Sequence, residues 1–449
     1  MNTICLDVGT TSAKAAAFSN GRRIGEIYRI ATPLRLDGNA AELDAASMLQ
    51  LAMDLIRQAG EPLAGRVDRI AIATMSPAVC LLDERGEPVT PILCHLDRRS
   101  EKQALEIARR FGEDTMLQTC GNLPIPGGIA CTLLRWLQVH QPQAYRRAAR
   151  VAPLTTLITS RLTGRYACDP GTGVFLGTYS IEPSHEVASI RPWPAMMEFL
   201  QLPESALPEL VDGGAIVGNM RDEIARSVDL HTQPQMLAGL MDTSATCLRA
   251  GLEPGHLYNV IGTTDVLAIC TTRPQPRNGI LTRPVGTGPL WFAINTMAAV
   301  GAALDWAHRT FFAERSGPEY FELVRKIGAT IGTTRRLKVE ALDDPLQFKP
   351  DLAGSRMQVR QRHGTIQGLR LSTTREQILE ALLASLARRS KRRLQVLSKQ
   401  ARPTGRVFLA VGASVAGIQD LWTGRYTLTA MPQDASLQGL AALAATTPG

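Results

Sequence analysis

The amino-acid sequence predicts an α/β protein made of two lobes that repeat one plan. Strand-like and helix-like periods alternate along both halves, a pattern that requires mixed sheets covered by helices. A short Gly-Thr-Thr turn between apolar strands occurs once in each half, at Gly9-Thr10-Thr11 and at Gly262-Thr263-Thr264. The length, 449 residues, exceeds what one hydrophobic core organises and suits two domains of roughly 200 residues each. The expected lobes are 1–234 and 235–449.

The first element is a hairpin. Ile4-Cys5-Leu6-Asp7-Val8 is apolar apart from one acid, turns at Gly9-Thr10-Thr11, and returns through Ser12 to Phe18. A tight turn of this kind exposes backbone N–H groups and two hydroxyls. It can hold phosphate oxygens, with Lys14 as a point charge and Asp7 placed to organise a metal ion. An ordinary hairpin with an Asx-type aspartate is the plainer alternative. Gly25 to Thr32 adds a strand, and Asp37-Gly38-Asn39 turns the chain. A helix is expected over Ala45 to Gln58, then strands over Val67 to Ala73 and Ala78 to Asp83. Helices at Glu101 to Phe111 and Thr132 to His140 flank the Gly/Pro-rich loop Gly121 to Gly128, and the Pro/Gly-rich stretch Pro203 to Gly218 closes the first half.

Strands resume at Gln235 to Leu240 and Leu257 to Cys270, the second of which contains the repeated turn. Two such hairpins suggest a duplicated fold that grips one polyphosphate. Helices are expected at Ala299 to Phe312 and Glu376 to Gln400, then a strand over Arg406 to Val411 that closes on Gly412-Ala413-Ser414, and a last helix over Leu437 to Ala445.

Composition excludes several classes. The apolar content of 45% is that of a globular domain. No apolar run reaches about 18 residues, so a membrane span is not expected, and a strand at the very start leaves no room for a signal peptide. The eight cysteines form no C-x-x-C pair and sit mostly in apolar runs. They read as reduced packing residues of a cytoplasmic protein. The seven histidines are scattered and suggest no metal site. Much of the net charge of +8 lies in Arg388-Arg389-Ser390-Lys391-Arg392-Arg393. Leu379, Leu382, Leu383, Leu386, Leu394 and Leu397 mark the apolar stripe of that helix, so the basic residues are expected on its solvent face. Without interleaved aromatics they make no nucleic-acid surface.

Further segments complete a recurring pattern. Ile70 to Ser76 is followed by Leu81-Leu82-Asp83-Glu84-Arg85-Gly86 and by His95-Leu96-Asp97-Arg98-Arg99. Thr119-Cys120-Gly121-Asn122, Leu134-Arg135-Trp136 and Leu162-Thr163-Gly164 to Asp169 come next, then Ala238-Gly239-Leu240-Met241-Asp242-Thr243-Ser244-Ala245 and Leu304-Asp305-Trp306. With both hairpins and Gly412-Ala413-Ser414, these resemble, in the same order and over nearly the whole chain, the FGGY family of carbohydrate kinases. The chain departs from the family pattern at His95, where an aromatic residue is usual, at Thr74-Met75-Ser76-Pro77, and at Met241 and Thr243 around the catalytic aspartate. It is poorly matched between Val339 and Leu369.

The resemblance implies two duplicated ribonuclease H-like, actin-like ATPase lobes with a cleft between them. It implies an ATP- and Mg²⁺-dependent kinase for a small sugar, a xylulose-like ketose or a polyol, with a homodimer admitted and no nucleic-acid or membrane partner. Asp242 would be the general base, because a carboxylate beside the attacking hydroxyl can take its proton. Its alternative is a helix N-cap, which the following Thr-Ser-Ala-Thr would suit. Gly9, Thr10, Thr11, Lys14, Gly262 and Thr263 would hold phosphates, Gly412 and Ala413 the adenosine, and Asp7 the metal. Met75, Ser76, His95, Asp97 and Asp242 would face the sugar. Two other readings compete: a sugar- or nucleotide-sensing protein that kept the fold without turnover, and a chaperone-type ATPase of the same superfamily.

Overall fold

Period-two alternation in the first strand, Asn2–Val8, sends its side chains into two separate cores. Ile4, Leu6 and Val8 join Ala13, Ala15, Ala17, Ile70 and Ile72 beneath the helix Ala45–Gly60. Cys5 joins Ala16, Phe18, Ala71 and Ala73 on the other face, beneath the helices Asp242–Ala250 and Ala435–Thr446. Both faces are covered, which is why these strands read as nearly continuous apolar runs. The computed structural model describes residues 1–182, 186–262, 264–333, 346–399, 402–411 and 426–448.

The main sheet runs Ile216–Asn219, Gln235–Leu237, Arg69–Thr74, Asn2–Val8, Ser12–Ser19, Arg22–Ala31. Its centre is parallel and its outer pairs are antiparallel. The stretch expected as one strand over Gln235 to Leu240 is broken. Gln235–Leu237 pairs with Arg69 and Ile70, and Leu240–Met241 resumes against Ala73 and Thr74, one residue out of step. Gly239 makes the break possible. Its φ is +90°, and a Cβ there would stand 2.8 Å from the Ile72 carbonyl oxygen, so only glycine fits the bulge. A second, antiparallel sheet runs Arg35–Asp37, Ala40–Leu43, Ile92–Cys94, Ala78–Leu82, Arg150–Pro153.

The chain forms two compact units, and their limits differ from the expected division at 234/235. The first unit comprises Met1–Leu252, Thr272–Phe292 and Asp434–Gly449; the second comprises Glu253–Thr271 and Ala293–Gln433. Leu437, Leu440, Ala441 and Ala444 pack on the sheet that begins at residue 2, which draws the chain's last helix back to its start.

In the second unit the strands Asp265–Thr271, Leu257–Ile261, Arg406–Val411 and Thr427–Ala430 lie side by side in that order. Here too an antiparallel hairpin is flanked by a strand parallel to its first arm, repeating the relation of Asn2–Val8 to Ser12–Ser19 and Arg69–Thr74. This is the duplication expected from the paired turns. Helices Gly301–Phe311, Gly317–Thr333 and Arg375–Ser398 share its core. The basic segment departs from expectation at one position. Arg388, Lys391 and Arg392 are exposed, but Arg393 is buried and ion-paired with buried Asp265 at 2.7 Å. Among the described residues no helix is long and apolar enough to cross a membrane.

Candidate active site

Two carboxylates reach the carboxyl end of the central strand Arg69–Thr74 from its two neighbours. Asp7 lies opposite Ala73 on one side, and Leu240 and Met241 lie opposite Ala73 and Thr74 on the other, so Asp242 follows directly. Carboxyl ends of parallel strands are where open α/β sheets present ligand-binding groups.

Register places Lys14 opposite Asp7, and its Nζ is 3.2 Å from Asp7 Oδ2. The same oxygen accepts a hydrogen bond from Ser436 Oγ in the first turn of the closing helix. Asp7 is 8% exposed. The turn beyond it is braced by the residue that follows the third strand: Thr32 Oγ1 donates to the Gly9 carbonyl at 2.7 Å, and the Thr32 N–H donates to the Thr11 carbonyl at 3.1 Å. Thr10 is half-buried and Thr11 exposed, while the Gly9 N–H is bonded to the Ser12 carbonyl at 3.2 Å.

Asp242 is the first residue of its helix, with Met241 in the cap position and no side-chain capping bond. Asp242 therefore stands one residue past the cap position, although its carboxylate still satisfies a first-turn N–H. Asp242 Oδ1 accepts from its neighbour, from Thr243 N–H at 2.6 Å and Thr243 Oγ1 at 3.1 Å. Burial, together with the charge of Asp7, pushes its carboxyl up to about 6, against the opposing pull of the Thr243 bonds and of Arg283. A carboxylate poised there can take a proton at neutral pH and still release it.

Two charged residues behind Asp242 escaped the sequence reading as site components. Arg283, 2% exposed, donates from Nη1 to Ser244 Oγ at 2.9 Å and reaches Met241 Sδ at 3.1 Å. Asp169 is wholly buried, caps the helix Pro170–Val174 through Thr172 N–H at 3.0 Å, and is pushed up to about 6 by burial. The available signal was an arginine inside the apolar stretch Ile280-Leu281-Thr282-Arg283-Pro284. Ser436 carried none, since a serine near a helix start is commonplace.

The expected sugar residues fare differently. Met75 is buried and spends its N–H on the Val8 carbonyl at 2.9 Å, and Ser76 is half-buried. His95, 9% exposed, follows the strand Ile92–Cys94, and its carbonyl accepts from Arg98 Nη1 at 2.8 Å. The same Arg98 nitrogen bonds the Pro126 carbonyl at 2.8 Å, tying the Gly/Pro loop to this turn. Asp97 has no exposed surface. Its oxygens accept from Ala41 N–H at 3.1 Å, Arg99 N–H at 3.0 Å and Arg99 Nη2 at 2.6 Å. Its carboxylate is turned inward and committed to Arg99, so it offers no surface to a sugar.

In the second unit, the Gly262 N–H donates to the Thr264 carbonyl at 2.8 Å and the Gly262 carbonyl accepts from Gly301 N–H at 3.0 Å. Thr263, Gly412 and Ala413 lie outside the described residues. Among the described residues no group of three or more His, Cys, Asp or Glu could hold a metal ion.

The family model for the N-terminal domain of the FGGY family of carbohydrate kinases matches residues 2–248, and that for its C-terminal domain matches 257–416. An autoinducer-2 kinase of Klebsiella pneumoniae is 24% identical over 369 residues, 77% of this chain and 67% of that protein. An L-xylulose/3-keto-L-gulonate kinase of Escherichia coli is 27% identical over 273 residues, 58% of this chain and 52% of its own length. Among solved structures, xylulose kinase from Rhodospirillum rubrum superposes with a TM-score of 0.83 at 24% identity, covering 99% of this chain and 89% of that one. With both domain models matched along the chain, the protein belongs to the FGGY family of carbohydrate kinases, a family of sugar phosphotransferases built on the actin-like ATPase fold.

Proposed function

We propose that this protein transfers the γ-phosphoryl group of ATP to a hydroxyl of a small sugar, a xylulose-like ketose or a polyol, with Asp242 as general base. The observation that carries the reading is Asp242 itself: a carboxylate at a strand end, heading a helix, with its pKa raised toward neutrality by burial and by Asp7. Two of the relatives named above are kinases of xylulose or of L-xylulose and 3-keto-L-gulonate by their names, which supports a ketose as the substrate class. As the hydroxyl oxygen attacks the γ-phosphorus, its proton passes to the Asp242 carboxylate, and the bond to the β-phosphate oxygen breaks.

Gly9, Thr10, Thr11 and Lys14 are the phosphate residues of the first unit. Gly262 and Thr263, with Gly412 and Ala413 for adenosine, are the nucleotide residues of the second. Met75, Ser76 and His95 are the sugar-side residues, and Asp97 supports their loop. Asp7 would hold Mg²⁺. A hard carboxylate with a second carboxylate nearby suits an ion that keeps its waters and leans on substrate phosphates. When bound, that ion neutralises charge on the transferred group. Eight free, buried cysteines support a reducing compartment such as the cytoplasm.

A panel of ketoses, aldoses and polyols assayed for ADP release with ATP and Mg²⁺ tests the activity and names the sugar. Saturable sugar binding without ADP release would mark a sensing protein instead. Asp242→Asn tests the base: we expect both substrates to bind within a few-fold of the parent while turnover falls by roughly 10²–10⁴. Near-parent turnover would remove Asp242 from the mechanism.

A further inference from the structure

We propose that Arg283 is a positioning residue for Asp242, its guanidinium pinning the first turn of the helix Asp242–Ala250 from beneath and setting a buried positive charge behind the base. The inference rests on the reading of Asp242 as that base.

Arg283 touches the chain on both sides of Asp242, through Met241 Sδ and Ser244 Oγ. It is held between two rings, with the guanidinium carbon 5.6 Å from the Phe175 centroid and 5.3 Å from that of Phe292. The side chain therefore has little freedom, and a shift in it would move the turn that bears the carboxylate.

Its bonding is poor for so buried an ion. A guanidinium offers five N–H groups, yet among the described residues Arg283 Nε has no hydrogen-bond partner, and neither has Asp169 Oδ1. Burying a charge with so few bonds is expensive, and replacing such groups by apolar residues of similar volume is often neutral or stabilising. The cation answers the carboxylates of Asp169 and Asp242, and through Met241 and Ser244 it holds the turn that bears the second of them.

The surrounding charges agree with that task. Asp7, with Lys14 bonded to it, faces Asp242 from the first hairpin. Arg283 meets the fields of the Asp169 and Asp242 carboxylates. Arg283 is the charged group that favours the ionised form of Asp242, against burial and Asp7.

The test uses the full chain, ATP, Mg²⁺ and the sugar that the panel identifies, with Arg283→Ala, Ser244→Ala and Asp242→Asn side by side. We expect Arg283→Ala to lower kcat by roughly 10²-fold, within the range general base catalysis supplies, while KM for both substrates stays within a few-fold. Added guanidinium should enter the vacated space and restore part of the kcat. Ser244→Ala should lose less, about tenfold, as one hydrogen bond to a charged group is removed. If Arg283→Ala does not fold, Arg283→Lys replaces it, with a lowered kcat and unchanged KM expected. A kcat within about threefold of the parent in the folded variant, or a rise in KM alone, would overturn the inference. So would a loss fully explained by a smaller folded fraction and untouched by guanidinium. Active Asp242→Asn, or a panel without ADP release, would sink the base reading first. Inactive Asp242→Asn beside active Arg283→Ala would sink only this inference.

Discussion

Asp242 takes its chemistry from what surrounds it more than from its residue type. A solvated aspartate is ionised at any physiological pH and is a feeble base. Burial and the neighbouring charge of Asp7 bring this one up to about 6, where it still loses its proton at neutrality yet accepts another more readily. The direction of the pH dependence follows. Asp242 must be ionised to act, so turnover should fall as pH drops through about 6, and a pH profile of kcat at saturating substrates measures it. An acid limb nearer pH 4, the ordinary aspartate range, would show that the carboxylate is solvated in the working enzyme. The neighbour Thr243 works in the opposite sense, since its two bonds to Oδ1 favour the charged form. Asp97 shows how residue type alone misleads: the same carboxylate, wholly buried, is bonded to Arg99 and to the Ala41 N–H.

The two helices on the Asp7 face of the first sheet depend on each other. Gly439 in the closing helix lies so close to the helix Asp242–Ala250 that a Cβ would meet the Ala245 carbonyl oxygen at 1.9 Å. That is backbone and cannot swing aside. Gly439→Ala should therefore push the helices apart, costing roughly 1–3 kcal/mol as overpacking does, and should lower turnover by disturbing Ser436 and Asp242 together. A denaturation curve and an ADP-release assay on this variant check both effects; parent-like stability would mean the closing helix is loosely seated. In the second unit the helix Arg375–Ser398 is tied to the repeated hairpin by Arg393, which bonds Asp265 Oδ2 at 2.7 Å and the Asn295 carbonyl at 2.7 Å. Arg393→Met leaves Asp265 buried without its partner, so a loss of about 3–5 kcal/mol is expected. Chemical denaturation would reveal it, and a change below 1 kcal/mol would mean that water reaches Asp265.

For the whole molecule, a charge of +8 is spread over a surface from which some arginines are withdrawn. Arg389 is bidentate to Asp351, at 2.6 and 2.8 Å, and Arg393 is internal. Two of the five basic residues in the run are thus tied to carboxylates, while Arg388, Lys391 and Arg392 face solvent. Duplex DNA should bind weakly and lose affinity steeply with added salt, as any sequence-independent basic surface does. A titration at two salt concentrations tests this, and a tight, sequence-selective complex would refute it. The two units repeat a hairpin with a parallel neighbour, and that repetition was legible because each hairpin is local: its arms, turn and alternation lie within about 20 residues.

The sequence by itself determined the α/β class, both Gly-Thr-Thr hairpins, the order of the family segments, and Asp7 and Asp242 as the acids to watch. These are short-range properties, written in the period of apolar residues and in turn chemistry. Only the tertiary structure decided that the last helix returns to the first sheet, that Ser436 reaches Asp7 across 429 residues of sequence, that Asp97 and Arg393 face inward, and that Arg283 stands behind Asp242. The physical reason is common to all four. A charged or hydroxyl side chain looks the same in sequence whether water or a buried partner satisfies it, and the partner comes from a distant segment that only packing brings near.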